Sequence, residues 1–346
     1  MKKSMLAVVL HGVNDLRMEE LPVPKPAPGQ VLIKNRVAGV CGTDVHMWGG
    51  TNFEGKFPFI PGHEWVGEVV KLGAGVTTVK VGDRVTGECF IPCRVCDVCK
   101  VRGAPPFCPN HIYFGFQPEA PGAMSEYTLT PEVRLHKIPA SLSDDEAALV
   151  EPVSVAYHAV WGRGGGAAPH DRIGVFGAGP IGLFATQIAL VSGAQVVVVE
   201  PAPYRQRMAR TMGAETIVDP TKDGWKEQIM DLTEGLGFTL VVECSGNQSA
   251  ISSSVDLIAV DGRIVLTGQS MGVKVPVELG KLIWTHGNMV GSCDSPGFWP
   301  KAIAYIARKR ADVTRIITHR FPLAQAPAAF ELALKGVESG KVVLDI

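Results

Sequence analysis

Cys93, Cys96, Cys99 and Cys108 lie in one short stretch, with two, two and eight residues between successive cysteines. Four thiolates from one loop suit tetrahedral Zn²⁺, which favours sulfur and brings no redox chemistry of its own. With every position filled by cysteine, such a site is closed to water and structural. An iron–sulfur cluster is the other occupant this spacing admits. A second set is dispersed: Cys41, His63, and one or both of Glu64 and Glu151. Mixed sulfur, nitrogen and oxygen ligation with an open position is the pattern of a catalytic metal. Asp44 is suited to accept the remaining ring N–H of His63 and so fix its tautomer. Singly, each of these residues has an ordinary structural reading, a core cysteine or a hydrogen-bonded histidine; the case rests on the set.

A different chemistry follows in Gly177-Ala178-Gly179-Pro180-Ile181-Gly182. The apolar run Arg172–Phe176 precedes it and a helical pattern follows. In that context Gly177 permits a tight turn, Gly179 lets backbone approach a pyrophosphate, and Gly182 lets the helix pack close. Pro180 and Ile181 open the helix, whose N-terminus offers free N–H groups to phosphate. Glu200 ends the next apolar run, where a carboxylate accepts hydrogen bonds from ribose hydroxyls and repels a 2′-phosphate. NAD is therefore favoured over NADP, although Arg205, and Arg207 beyond it, are cations that could meet a phosphate. Together the two halves imply zinc-assisted hydride transfer at an alcohol carbon.

A chain of 346 residues exceeds one typical core, so two domains are expected. Its formal net charge of −1 lacks the basic footprint of a nucleic-acid binder. Met1-Lys2-Lys3 ahead of Met5–Leu10 imitates an export signal, but the apolar stretch is short and reads as an opening strand. No stretch approaches the roughly 18 apolar residues of a membrane helix. Eight cysteines, half of them at metal-binding spacing, fit a reducing cytoplasm better than disulfides.

The elements that must position these residues fall into two patterns. Up to about Glu151, short apolar runs punctuated by Gly and Pro (Val31–Ala38, Trp65–Lys71, Lys80–Val85, Ser125–Thr130) read as a small irregular β-barrel. Beyond it, Arg172–Phe176, Gln195–Val199, Thr239–Glu243 and Arg263–Thr267 read as strands buried on both faces. The helical patterns Ile181–Ser192, Tyr204–Met212, Trp225–Thr233 and Ser249–Val260 separate them, which predicts an α/β, doubly wound parallel sheet. Helices at Pro300–Arg308 and Leu323–Lys335 follow. The expected division is residues 154–294 for the dinucleotide domain and 1–153 with 295–346 for the metal domain, whose cysteine loop spans 89–108.

Over almost its full length the chain resembles the zinc-dependent medium-chain dehydrogenase/reductase family, in particular its polyol (sorbitol-type) and threonine dehydrogenase branches. The resemblance is carried by Cys41-Gly42-Thr43-Asp44-Val45-His46, Gly62-His63-Glu64, Val81-Gly82-Asp83-Arg84-Val85, the cysteine loop, Glu151-Pro152 and the glycine motif. It implies a GroES-like β-barrel catalytic domain joined to a Rossmann domain, two zinc ions per subunit (one catalytic, one structural) and NAD. The catalytic zinc would be held by Cys41 and His63 with a carboxylate. In polyol-type members the counterpart of Glu64 can ligate directly, the counterpart of Glu151 then acting directly or through water, and the resemblance does not choose between them. The implied proton path runs from Thr43 through the nicotinamide ribose to His46, a hydroxyl and an imidazole suited to relay and to titrate near neutrality.

The expected reaction is reversible oxidation of a secondary alcohol of a polyol to the ketone, in a cytoplasmic homodimer or homotetramer. L-Threonine or a simple alcohol is the alternative substrate, and a non-catalytic cofactor-binding or sensing module is the alternative of another class. Two features depart from the family pattern. The gap before Cys108 is one residue longer than usual, through Ala104-Pro105-Pro106, and the loop Tyr113–Pro121 with Phe114 and Phe116 matches no assignable substrate pocket.

Overall fold

One strand that changes partner half-way along organises the first part of the chain. Gln30–Val40 pairs antiparallel with Glu64–Leu72 along its length. On its other edge its first residues pair with Tyr127–Pro131 and its last with Lys341–Asp345. Where the partner changes, opposing carbonyls would be left bare, and buried backbone oxygens must find donors. The buried Asn35 supplies them, its Nδ2 donating to the carbonyls of Ala123 at 3.1 Å and Ser125 at 2.7 Å. The structure is a computed structural model describing residues 2–51, 56–100, 108–268, 272–309, 311–336 and 338–346.

The sheet runs in the order Ile317–Pro322, Lys341–Asp345, Gln30–Val40, Glu64–Leu72, Arg84–Gly87, Leu135–Lys137, with Tyr127–Pro131 attached to Gln30–Val40. The inward residues of these strands alternate as a half-buried strand requires. Val31, Ile33, Val69, Val85, Val342 and Leu344 form the core with Trp65 and Phe330. Ser4–Gly12 and Asp15–Pro22 make a separate hairpin. The second strand of that hairpin escapes a sequence reading because its residues, Asp-Leu-Arg-Met-Glu-Glu-Leu-Pro, are half-exposed and mostly polar.

The second unit is a six-stranded, wholly parallel sheet ordered Thr216–Val218, Gln195–Val199, Arg172–Phe176, Phe238–Glu243, Ile258–Leu266, Asn288–Gly291. This is the doubly wound order 3-2-1-4-5-6, whose switch point lies between the strands opening at Arg172 and Phe238. Helices Pro180–Val191, Pro203–Thr211, Trp225–Leu232 and Gln248–Asp256 join successive strands. The expected helix over Ser249–Val260 ends earlier, because Ile258 already pairs with Phe238. A left-handed Asp261 and a register shift then carry the strand onward. Among the described residues no helix is long and apolar enough to cross a membrane.

The chain divides into residues 1–151 with 317–346, and 152–316. The return to the first unit therefore falls at 317 and not at 295. The intervening segment is fastened to the second unit: Ser295 Oγ lies 2.6 Å from Ser154 Oγ, and Gln187 Nε2 donates to Asp312 O at 3.1 Å. Helix Trp299–Ala307 buries Ala302, Ile303 and Ile306 and sets Tyr305 against Tyr157, ring centroids 5.8 Å apart. An amphipathic helix shows that it has a partner, not which unit holds that partner.

Candidate active site and metal centres

The dispersed ligands are brought together by two neighbouring strand ends and one short helix. Cys41 follows strand Gln30–Val40 and caps helix Gly42–Trp48, where Asp44 returns its Oδ2 to the Cys41 N–H at 2.9 Å. The other oxygen of Asp44 faces His63 Nδ1 at 3.5 Å, with both side chains buried. Glu64 opens the adjacent strand with His63 just ahead of it, and Gly39 pairs with Glu64 in register. As a result, one ligand atom each of Cys41, His63 and Glu64 lies within 4.8 Å of the others. Glu151 is buried in the first turn of helix Val150–Tyr157 but does not belong to that group.

The electrostatics of this pocket favour a cation. Burial pulls the His63 imidazole towards neutrality, yet the charges of Asp44 and Cys41 outweigh it and raise its pKa well above the ordinary value. Glu64 is 1% exposed, and its Oε2 has no hydrogen-bond partner. A buried carboxylate oxygen left bare is costly, and a coordinated metal ion removes that cost. An added Cβ at Gly39 would lie 2.2 Å from that same oxygen, so only glycine leaves it room. The donor set, the orphan oxygen and the glycine cradle all fit a zinc ion. Cys41 Sγ donates to the Thr43 hydroxyl oxygen at 3.7 Å, and the exposed His46 sets Nδ1 3.0 Å from Thr51 Oγ1.

Lys341, which the sequence did not single out, and Phe116, which it named without a pocket, also reach this site. Lys341, 2% exposed, places Nζ 2.7 Å from Glu64 Oε1 and 3.3 Å from the Val40 carbonyl. Burial lowers its pKa, but Glu64 and Cys41 overcome this and raise it, so it stays an ammonium. Its signal was a lone lysine heading a buried apolar strand. Phe116 packs against the His63 ring, centroids 4.9 Å apart, with Tyr113 behind it at 5.3 Å. The loop that matched no pocket therefore contributes a wall to the site. Its other phenylalanine, Phe114, is core, lying under the Arg134 guanidinium at 4.0 Å.

The sulfurs of Cys93, Cys96, Cys99 and Cys108 also converge within 4.8 Å, and all eight cysteines are free of disulfides. Backbone N–H groups of Val95 and Cys96 lower the Cys93 thiol to about 6, while desolvation raises Cys99 to about 12. N–H groups aimed at one sulfur favour its thiolate and so suit a metal knuckle. The extra residue at Ala104-Pro105-Pro106 lies outside the described residues.

At the dinucleotide motif, Gly177 has φ +91°, and an added Cβ would meet Ser245 at 2.9 Å. At Gly182 an added Cβ would lie 1.9 Å from the Gly177 carbonyl, whereas the position over Gly179 is open. Pro180 and Ile181 begin helix Pro180–Val191, capped by Gly179. Glu200 is buried and accepts from the Ala178 N–H at 2.7 Å and the Ala202 N–H at 2.8 Å, pinning the turn. A cavity of about 580 Å³ beside it is lined by Glu200, Arg205, Trp225, Asn247 and Ser249. Arg207 instead lies over the Tyr204 ring at 5.5 Å.

The alcohol dehydrogenase GroES-like domain family matches residues 27–140, and the zinc-binding dehydrogenase family matches residues 180–308. The chain is 35% identical to sorbitol dehydrogenase of Gallus gallus over 98% of its length and 96% of that protein's. The chain belongs to the zinc-binding alcohol dehydrogenase family. It is also 33% identical to D-arabitol-phosphate dehydrogenase of Enterococcus avium, over 94% of this dehydrogenase and 93% of that one. Among solved structures, a short chain alcohol dehydrogenase from E. coli CFT073 complexed with NADH superposes with TM-score 0.91 at 28% identity, covering 100% of both chains. The expected architecture, a GroES-like unit with a Rossmann unit, is that of this dehydrogenase.

Gly182→Val tests the dinucleotide turn. Overpacking of this kind costs about 1–3 kcal/mol, so NADH affinity measured by fluorescence titration should fall roughly tenfold or more while zinc content is unchanged. Unaltered NADH affinity would remove this turn from the cofactor site.

Proposed function

We propose that this dehydrogenase oxidises a secondary alcohol of a polyol to the ketone, with NAD as acceptor and zinc at Cys41, His63 and Glu64. The observation that carries the reading is the convergence of those three ligand atoms within 4.8 Å, with Asp44 behind His63. When bound, zinc supplies a Lewis acid that lowers the pKa of an alcohol hydroxyl, and NAD supplies the hydride acceptor. Glu64 is the carboxylate ligand, and Glu151, outside the close group, acts through water. The likeness to sorbitol and arabitol-phosphate dehydrogenases supports a polyhydroxylated substrate over threonine or a simple alcohol.

The chain's own residues do the rest. Asp44 orients His63, leaving the second ring nitrogen for the metal. Thr43, beside the Cys41 sulfur, takes the proton leaving the substrate oxygen, because a hydroxyl accepts and donates at once. His46, at the exposed face of the same short helix, delivers it to bulk water. Phe116 and Tyr113 exclude water from the His63 side. Glu200 occupies the place where a 2′-phosphate would sit, which selects NAD over NADP. The cysteine set Cys93, Cys96, Cys99 and Cys108 holds the structural zinc.

A homodimer or homotetramer and a cytoplasmic location complete the proposal. Asn288–Gly291 ends the parallel sheet with one edge unpaired within the described residues. Beside it in sequence, Leu279, Ile283 and Trp284 of helix Leu279–Trp284 are 64%, 74% and 85% exposed. An open strand edge and large exposed apolar groups support a symmetric protein contact. Eight cysteines outside any disulfide suit a reducing compartment.

A panel of polyols, L-threonine and simple alcohols should show NAD-dependent turnover greatest with a polyol and abolished by a zinc chelator. Preference for threonine or a simple alcohol would refute the substrate assignment, and silence with zinc and NAD still bound would favour a non-catalytic binder. In the proton path, His46→Gln should slow oxidation several-fold at neutral and lower pH and little at high pH, where hydroxide takes the proton. A pH–rate profile identical to wild type would exclude His46 from the path. Light scattering should report a dimer or tetramer that Trp284→Glu shifts towards monomer; a wild-type monomer contradicts the assembly.

A further inference from the structure

Lys341 is a buried charge beside Glu64 that the reaction just described does not use. Its burial demands an explanation, because an ammonium taken from water is costly unless paired and hydrogen-bonded. It is paired on one side only, with Glu64 Oε1 at 2.7 Å and the Val40 carbonyl at 3.3 Å. The pairing divides the carboxylate in two. Oε1 is taken by the lysine, while Oε2, packed over Gly39, has no partner among protein groups.

We infer that Lys341 is a positioning residue for the catalytic zinc: it clamps Glu64 through Oε1 so that Oε2 alone is presented to the metal. Sheet order makes the clamp rigid. Val342 pairs with Val40, and Gly39 pairs with Glu64, so Lys341, Gly39 and Glu64 stand on three successive strands. A charge on a strand between buried neighbours cannot swing aside as a surface lysine can. Lys341 also offsets charge. Glu64, Cys41 and Glu151 all act on its ammonium electrostatically. Fixing a ligating carboxylate by a hydrogen bond to its other oxygen typically matters 10–100-fold for metal affinity.

The inference rests on the zinc reading of Cys41, His63 and Glu64, and the test separates the two. Zinc content and the rate of zinc transfer to a chromophoric chelator are measured on full-length wild type and on Lys341→Met. Cobalt is then substituted into both proteins and its visible spectrum recorded. Wild type should hold two zinc ions that leave in two phases. In Lys341→Met the catalytic phase should accelerate about tenfold or more, the four-cysteine phase should not change, and the cobalt bands of the catalytic site should shift. A merely structural lysine would alter melting temperature without that selective change. Should Lys341→Met fail to fold, Lys341→Gln keeps a donor to Oε1 without the charge and should still speed the catalytic phase several-fold. Two zinc ions leaving the folded variant at the wild-type rate, with an unshifted cobalt spectrum, would overturn the role of Lys341 alone. A wild type without a second zinc would overturn the zinc reading, and this role with it.

Discussion

Asp44, His63, Glu64 and Lys341, each at most 4% exposed, put ionisable groups where water does not reach, beside a half-buried Cys41. Each would cost several kcal/mol if left alone, so each must face an opposite charge, a backbone donor or a metal. The first unit meets that demand by strand order. One strand supplies the room at Gly39 and leads into Cys41, its neighbour supplies His63 and Glu64, and the strand on its other side supplies the ammonium. Asp44 then serves two partners, one oxygen on the Cys41 N–H and the other facing His63. Remove any member and another is left buried without a counterpart.

The two candidate metal positions solve the same problem differently. The four-cysteine set gathers its ligands from one stretch of chain, with backbone N–H groups favouring a thiolate at Cys93. Its geometry depends little on the rest of the molecule. The three-ligand set depends on sheet register, since a one-residue slip would turn Glu64 to the other face. The dinucleotide turn of the second unit is closer to the first kind. The Glu200 carboxylate holds it through hydrogen bonds of 2.7 and 2.8 Å, and Gly177 and Gly182 through space that only glycine leaves.

Legibility in the sequence followed the same division. Motifs that act locally could be read directly: the cysteine spacing, the glycine turn with Glu200, and the four central strands of the parallel sheet, whose β-branched runs allow few other readings. Cys41, His63 and Glu64 could be read only as a set. Nothing in the order of residues measures the distance between Cys41 and Glu64, or ranks Glu64 against Glu151. Lys341 was illegible, and Phe116 legible only as part of an unassigned loop, because their meaning comes from pairing: a lysine at a strand end and a phenylalanine in a loop are ordinary until the fold sets them beside Glu64 and His63. The segment 295–316 was misplaced for the same reason, since its ties to Ser154 and Gln187 are made by side chains far apart in sequence.

The separation of Glu64 from its ammonium partner bears on how the molecule is made. Lys341 follows Glu64 by 277 residues, which at ribosomal speeds of about 5–20 residues per second is a delay of about 15–55 s. The whole parallel-sheet unit is synthesised within that interval and has its strands available to it. The unit carrying Cys41, His63 and Glu64 cannot close its sheet until Lys341–Asp345 arrives. Every strand of the parallel-sheet unit is thus translated before the ammonium that Glu64 faces in the finished sheet.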